Sequence, residues 1–243
     1  MDDLRIDSHK LIYHPGRVAQ WLENGDVYPL TVEISPSGAC NYRCVFCAFD
    51  YLNYEPQLLD RDLMIRILGE MHETGVKSIV VCGEGEPLLN KHTPDIINYA
   101  NKLGLDVGMS TNGLLFNRET AGECLPSLTW VRVSLNAGTD RTHQLIHKSK
   151  AGDYKKILSN LAEAVRIKKN RRLTATIGVQ LLLIPENAAD VLILAKELKA
   201  LGVDYFTVKP FSKHPLSRSQ ITPDMDYTQY MEMEKELNSL MRN

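Results

Sequence analysis

The sequence predicts an α/β fold built on a parallel sheet. Short apolar runs rich in Val, Ile, Thr and aromatic residues alternate six times with amphipathic runs of helical length. This alternation is typical of strand–helix–strand units with right-handed crossovers. Several apolar runs lack polar alternation, which favours strands covered on both faces. Six units are too few for an eight-stranded barrel, so an open doubly wound sheet and a partial barrel both fit the pattern.

The predicted strands are short and rich in β-branched residues. The first leads directly into a cysteine-rich segment, and the second ends in Cys82-Gly83. Sites in folds of this kind gather at the carboxyl ends of the strands, so residues at those ends are the functional candidates. In chain order, the predicted strands are 31–35, 78–82, 105–110, 130–135, 174–183 and 205–209.

The helices between the strands carry ordinary start and stop signals. Thr93-Pro94 place a proline in the first turn of one helix, and Gly75, Gly104 and Gly202 follow the ends of three helices. After the fourth strand, a polar loop is predicted that contains Arg141, His143 and His147. The predicted helices are 15–24, 60–74, 93–103, 117–124, 153–169, 186–201 and a last one that begins at Thr222-Pro223 and runs to the chain end.

The composition excludes several classes of protein. Lys and Arg number 28 against 30 Asp and Glu, so the chain lacks the basic excess of a general nucleic-acid binder. No apolar run reaches the roughly 18 residues of a membrane span, and the polar N-terminus is neither a signal nor a transit peptide. We therefore expect a cytoplasmic protein without a membrane or nucleic-acid partner. One core domain is expected at 31–243, preceded by an N-terminal extension at 1–30.

Three of the five cysteines lie within eight residues, as Cys40, Cys44 and Cys47 with the spacing C-x3-C-x2-C. An odd number of cysteines in a reducing compartment does not indicate a disulfide framework. A structural zinc site needs four ligands, usually in two pairs, whereas this segment supplies three. An iron–sulfur cluster with three thiolates and one iron open to an external ligand fits better. A non-catalytic zinc-binding scaffold is the alternative.

The C-x3-C-x2-C spacing, with Phe46 before the third cysteine, resembles the signature of radical S-adenosylmethionine (SAM) enzymes. The resemblance extends over roughly residues 30–210 and implies a partial (β/α)6 TIM-like barrel with parallel strands. It implies one [4Fe–4S] cluster on Cys40, Cys44 and Cys47, with SAM bound to the open iron through its amino and carboxylate groups. One electron, from a donor such as flavodoxin or ferredoxin, then cleaves SAM to methionine and a 5′-deoxyadenosyl radical that abstracts hydrogen from a substrate.

Further candidate SAM contacts lie where motifs at the strand ends resemble those of the family. The segment after the second strand is similar to a G-G-E-P turn that binds the methionine amino group, although Glu84 stands at a glycine position. Alternation along the fourth strand predicts Ser134 and Asn136 on one face. The candidate SAM contacts are Phe46, Gly83, Glu84, Gly85, Glu86, Ser110, Asn112, Ser134, Asn136 and Gln180.

Lys209 is the candidate catalytic residue, because the end of the sixth strand is a suitable place to bind an anionic substrate group. A lysine at the surface is the alternative. The short stretch before the first strand favours a small polar substrate, such as a sugar or nucleotide derivative. A peptide- or protein-modifying enzyme, or a glycyl-radical activating enzyme, is the alternative. No cysteine follows Cys124, so no auxiliary cluster is predicted.

Overall fold

A parallel sheet of six strands forms the centre of the computed structural model, which describes residues 11–221 and 226–242. The strands pair in sequence order. Right-handed crossovers place every helix on the same face of such a sheet, whereas the order of a doubly wound sheet reverses. The predicted partial barrel is therefore confirmed. The strands are β1 (Thr31–Ile34), β2 (Ser78–Val81), β3 (Asp106–Thr111), β4 (Trp130–Ser134), β5 (Thr176–Leu183) and β6 (Tyr205–Pro210).

Most helices lie where the sequence predicts them, and no described helix is long and apolar enough to cross a membrane. The predicted helix 186–201 begins instead with a 3-10 turn, Pro185–Asp190. The predicted start of the last helix at Thr222 lies outside the described residues. The helices are α1 (Pro15–Asn24), α2 (Arg61–Glu73), α3 (Thr93–Lys102), α4 (Arg118–Cys124), α5 (Asp140–His147), α6 (Asp153–Arg171), α7 (Val191–Leu201) and α8 (Met231–Arg242).

Helix α5 contradicts the sequence prediction, which has a polar loop at this position. The Thr139 hydroxyl caps the helix by accepting a hydrogen bond from the Thr142 N–H at 3.2 Å. The buried face of α5 consists of Ile146 and two histidines. Histidines on the buried face interrupt the apolar periodicity by which an amphipathic helix is predicted.

The two faces of the sheet differ in chemistry. The outer face is aliphatic, and residues such as Val107, Val131 and Ile177 are fully buried there. Alternation places polar side chains on the inner face, among them the half-buried Ser110 and Arg132. Buried polar groups require hydrogen-bond partners, so the inner face is the one suited to a polar ligand.

Two glycines on the inner face make room for aromatic rings. Gly108 pairs in register with Trp130, and Gly178 pairs with Arg132 on one side and Tyr205 on the other. A Cβ atom at Gly108 would lie 2.3 Å from the Trp130 indole, and one at Gly178 would lie 2.0 Å from the Tyr205 ring. Each ring therefore lies against the backbone of a neighbouring strand on the inner face of the sheet.

Candidate functional site

A cavity of about 310 Å³ opens at the carboxyl ends of β1 to β4. It brings together a cysteine of the C-x3-C-x2-C motif, the turn after β2 and polar residues of β3 and β4. Six of the predicted SAM contacts line it with that cysteine. The lining residues are Glu33, Cys40, Phe49, Cys82, Gly83, Gly85, Glu86, Pro87, Ser110, Thr111, Asn112, Arg132 and Ser134.

The cysteine loop, residues 35–49, follows β1, and its three cysteines are free thiols. Burial raises the pKa of the Cys40 thiol, and burial together with Cys40 and Cys47 raises the pKa of Cys44 well above its usual range. Thiolates that repel one another are stabilised by a bound metal centre. Three free thiols on one loop fit an iron–sulfur cluster, whose protein ligands are cysteine thiolates.

The geometry fits a single metal ion less well. Within residues 11–221 and 226–242, no group of three or more His, Cys, Asp or Glu side chains is placed to hold a metal ion. A four-iron cluster spans a wider set of thiolates than a tetrahedral zinc ion, because each thiolate binds a different iron. The donor set therefore favours a cluster over zinc.

Two distant segments hold the backbone of the cysteine loop. The carboxyl end of α5 accepts hydrogen bonds from two loop N–H groups at 3.1 and 2.9 Å. In the segment after β6, the Ser217 hydroxyl donates to the Cys47 carbonyl at 2.9 Å and the Ser219 hydroxyl to the Val45 carbonyl at 2.7 Å. These bonds satisfy the loop backbone without using the cysteine side chains, which leaves the thiols available as ligands.

Glycines in the turn after β2 allow that turn to contact the cysteine loop directly. Gly83 has a φ of +125°, a conformation that side chains other than glycine rarely adopt. A Cβ atom at Gly85 would lie 2.1 Å from the Ala39 carbonyl oxygen and 2.4 Å from that of Ser37. The Glu86 N–H also donates to the Ala39 carbonyl at 2.9 Å. The turn and the loop are thus fixed relative to each other.

The Glu86 carboxylate joins this turn to the end of β3. It is 2% exposed and accepts hydrogen bonds from the Thr111 hydroxyl at 2.6 Å, the Asn112 N–H at 2.8 Å and the Leu88 N–H at 3.2 Å. Burial raises the pKa of Glu86, and the hydrogen bonds from Asn112, Thr111 and Leu88 oppose this effect. The structure therefore gives Glu86 a positioning role, and its direct contact with SAM stays a prediction.

Asn136 does not share the cavity with Ser134 as the sequence predicts. It lies beyond the last residue of β4, where strand alternation no longer determines the face. Asn136 is fully buried, and its Oδ1 accepts a hydrogen bond from the Leu182 N–H at 2.6 Å. Its backbone N–H donates to His147 Nε2 at 3.2 Å. Asn136 thus organises the protein behind the cavity.

His147 lies at the site, although the sequence predicts it in a polar loop. Because its Nε2 accepts a hydrogen bond from the Asn136 N–H, the neutral ring carries its proton on Nδ1, which lies 3.2 Å from Cys44 Sγ. Burial, followed by the neighbouring His143, lowers the pKa of His147 and keeps the ring neutral. His147 therefore donates an N–H to a predicted cluster ligand. The two residues are 103 positions apart in the chain, so no short sequence motif contains both of them, and the sequence carries no signal for this contact.

Besides Asn136 and the motif cysteines Cys44 and Cys47, four predicted residues lie outside the cavity lining. Phe46 packs edge-on against a histidine of α5, with ring centroids 5.7 Å apart. Gln180 is half-buried on the inner face, in register with the last residue of β4. The Glu84 side chain is half-buried in the turn after β2. Lys209 is exposed at the end of β6, as expected for a surface lysine.

Six residues that line the cavity are absent from the predicted set, namely Glu33, Phe49, Cys82, Pro87, Thr111 and Arg132. Burial raises the pKa of Cys82 to about 11, and the Glu33 carboxylate adds to this shift. The Cys82 thiol is therefore protonated at neutral pH. In the sequence, Glu33 and Arg132 alternate with apolar residues, and a polar residue that faces a cavity has the same pattern as one that faces solvent.

Comparisons with known proteins identify relatives of this arrangement. The family model of the Radical SAM superfamily matches residues 34–198. GTP 3',8-cyclase from Staphylococcus saprophyticus is 34% identical over 126 residues, which cover 48% of this chain and 36% of the cyclase. A tungsten-containing aldehyde ferredoxin oxidoreductase cofactor-modifying protein from Pyrococcus furiosus is 26% identical over 214 residues, which cover 84% of this chain and 56% of that protein.

The fold also matches solved structures. SuiB from Streptococcus suis bound to S-adenosylmethionine aligns with a TM-score of 0.74 at 17% identity, covering 96% of this chain and 52% of SuiB. At this identity the likeness is one of fold. The chain spans 36% to 56% of the length of these relatives.

Proposed function

The chain belongs to the radical SAM superfamily, and on this premise we propose that it cleaves SAM reductively at one [4Fe–4S] cluster held by Cys40, Cys44 and Cys47. Membership confirms the resemblance drawn from the cysteine motif and makes the chain an enzyme, which sets aside the zinc-scaffold alternative. Enzymes of this superfamily use SAM and an iron–sulfur cluster. When bound, the cluster supplies the electron that converts SAM to methionine and a 5′-deoxyadenosyl radical, which abstracts hydrogen from the substrate.

One observation carries this proposal. The loop with three free cysteines meets the glycine turn after β2 at a cavity whose other wall is the polar inner face of the sheet. The cavity thus has thiol ligands at one side and hydrogen-bonding groups at the other. A cofactor that binds an open iron and presents polar atoms to a strand end is suited to this arrangement.

In this proposal, different residues of the cavity bind different parts of SAM. Gly83 and Gly85 let the backbone approach the methionine end closely, as glycine permits. Ser110, Asn112 and Ser134 offer side-chain donors and acceptors at the ends of β3 and β4. The other members of the predicted set are Glu86, which lines the cavity, and four residues outside its lining, Phe46, Glu84, Asn136 and Gln180.

We propose a small polar substrate, with flavodoxin or ferredoxin as the type of electron donor and the cytoplasm as the compartment. A relative named for GTP 3',8-cyclase activity supports a nucleotide-like substrate. The match covers 36% of that relative, so the identity of the substrate does not transfer from it. The likeness to SuiB is one of fold and does not favour a peptide substrate.

Anaerobic reconstitution with iron and sulfide tests the proposal. The reconstituted chain is expected to bind four irons per molecule and, with dithionite and SAM, to release methionine and 5′-deoxyadenosine, as measured by mass spectrometry. Cys44→Ala is expected to abolish both the cluster and the nucleoside product, because it removes a cluster ligand.

Cys124→Ala is the matched control. Cys124 is fully buried in α4, outside the cysteine loop, so its loss is expected to leave cluster content and SAM cleavage intact. Zinc at unit stoichiometry without iron or sulfide in the wild-type chain would contradict the proposal. So would an iron–sulfur protein that leaves SAM uncleaved under reducing conditions.

A further inference from the structure

We propose that Arg132 binds a carboxylate or phosphate group of the substrate, in the cavity that holds SAM. This inference rests on the proposed function and adds to it the chemical class of the substrate, a small organic anion. Arg132 lines the cavity from the middle of β4. Three features support this role: the guanidinium has no counter-ion among the described residues, the side chain lies deeper along β4 than the predicted SAM contact Ser134, and aromatic rings lie beside it.

The Arg132 guanidinium is a charged group without a protein counter-ion. Its Nε atom is buried and has no hydrogen-bond partner, and it forms no ion pair with the described residues. Its neighbour is the Trp130 ring, with the guanidinium carbon 5.4 Å from the ring centroid. An arginine is charged at every physiological pH. The side chain is half-buried and Nε is its shielded atom. A buried donor without an acceptor is costly, so an anion in the cavity would supply the missing partner.

The one acidic side chain on β1 that lines the same cavity is engaged elsewhere. Glu33 hydrogen-bonds to the Cys82 thiol, and both Glu33 and Arg132 influence the pKa of that thiol. Glu33 and Arg132 therefore lie near the same thiol without pairing with each other in an ion pair. The planar fork of donors on Arg132 remains available for two parallel hydrogen bonds to a carboxylate or phosphate.

The position of Arg132 assigns this anion to the substrate. Arg132 precedes Ser134 by two residues, so it lies on the same face about 6.6 Å deeper along the strand. Arg132 is in register with the predicted SAM contact Ser110 of β3, so the two residues lie at one level of the inner face. In the proposed function the carboxylate of SAM binds the open iron and is already partnered there. The anion that pairs with Arg132 then comes from a second molecule beside SAM, which is the substrate.

The space available for that substrate is small. The cavity measures about 310 Å³, near the lower limit for small-molecule sites of roughly 300–1,000 Å³, and in the proposed function SAM occupies part of it. Beside Arg132, the Trp130 ring lies over Gly108 and the Tyr205 ring lies over Gly178. The space beside SAM therefore suits a small anion with an apolar or planar portion.

Calorimetric titration of the reconstituted, SAM-loaded enzyme tests the proposal. The probes are inorganic phosphate and, in a second arm, acetate, at constant ionic strength under anaerobic conditions. Wild-type enzyme is expected to bind at least one of them, and Arg132→Gln is expected to weaken that binding about tenfold or more. The probe that binds with the higher affinity indicates whether the substrate carries a phosphate or a carboxylate group. Arg171→Gln is the control, because Arg171 is an exposed arginine that donates to the Gly122 carbonyl outside this cavity.

Arg132→Lys provides a second variant in case Arg132→Gln does not fold. It retains the charge but loses the fork of donors, and its affinity for the probe is expected to lie below that of the wild type. Equal probe binding in the wild type and in a folded Arg132 variant would overturn the proposal. A matching loss of SAM affinity in Arg132→Gln would also overturn it, by assigning the guanidinium to the cofactor. Absence of SAM cleavage in the wild type would refute the proposed function instead, since probe binding is measured separately.

Discussion

Replacing Gly85 by alanine tests the contact between the turn after β2 and the cysteine loop. The new Cβ atom would lie 2.1 Å from the Ala39 carbonyl oxygen, whereas ordinary contacts begin at 3.4 Å. The loop must therefore withdraw by about 1.3 Å. Gly85 is not among the residues with positive φ, so this contact, and not backbone strain, opposes the substitution.

The expected cost has two parts. Overpacking of a close contact destabilises a protein by about 1–3 kcal/mol. Withdrawal of the loop also stretches the hydrogen bond from the Glu86 N–H to the Ala39 carbonyl, which contributes roughly 0.5–1.5 kcal/mol. We expect Gly85→Ala to lower the free energy of unfolding by about 2–4 kcal/mol. We also expect it to reduce iron content and SAM affinity, because the displaced loop carries Cys40.

Urea unfolding of the apoprotein and iron and sulfide analysis after reconstitution measure these effects. Gly69→Ala is the matched control, since Gly69 lies within α2 and no atom lies within 4 Å of an added Cβ. That control is expected to gain about 0.5–1 kcal/mol, the usual preference of a helix for alanine, with unchanged cluster content. A Gly85→Ala protein that assembles its cluster and binds SAM like the wild type would refute the reasoning.

Three further predictions follow from buried groups at the site. Glu86→Ala leaves the Thr111 hydroxyl and two N–H groups without their acceptor, so we expect urea unfolding to show a loss of roughly 2–5 kcal/mol. Burial lowers the pKa of His143 to about 4, and the carboxylates of Asp153 and Asp140 offset part of this effect. As the pH falls, the imidazole is therefore protonated in the unfolded chain before it is protonated in the folded protein. The free energy of unfolding is expected to decrease between about pH 6.5 and pH 4 by up to about 3 kcal/mol. His147→Phe removes a hydrogen bond to a cluster thiolate, so we expect a more negative reduction potential in a redox titration followed by electron paramagnetic resonance.

Each of these predictions has its own control. Glu86→Gln keeps one acceptor oxygen and is expected to lose less stability than Glu86→Ala; equal losses would contradict the role given to the carboxylate. His143→Phe is expected to reduce the loss of stability between pH 6.5 and pH 4. If the loss is unchanged in this variant, groups other than His143 cause it. His147→Gln retains an N–H donor, and a potential for this variant as negative as that of the phenylalanine variant would refute the hydrogen-bond explanation.

The sequence predicted the sheet well because the strand segments are short runs rich in Val, Ile, Thr and aromatic residues. β4 and β6 agree with the predicted strands within one residue at each end. The C-x3-C-x2-C motif indicated the superfamily equally well, since its three residues lie in one short segment. Helix α5 was not predicted because its buried face carries two histidines, and their partners come from distant parts of the chain.

Arg132 shows why part of the cavity lining could not be predicted. The segment Trp130–Ser134 alternates like any strand with one polar face, and the alternation is the same whether that face meets water or a cavity. The difference arises only when neighbouring strands bring Glu33, Ser110 and Arg132 to one cavity. Similarly, Asn136 follows the strand pattern in sequence but lies beyond its end.

The hydrogen bonds from Ser217 and Ser219 to the cysteine loop have a consequence for biogenesis. They join residues 170 and 174 positions apart, so they cannot form until most of the described chain has left the ribosome. During synthesis the three cysteines therefore emerge long before the segment that holds their loop. If the loop holds the proposed cluster, iron and sulfide reach it in its ordered form only after β6 and residues 217–219 have been synthesised.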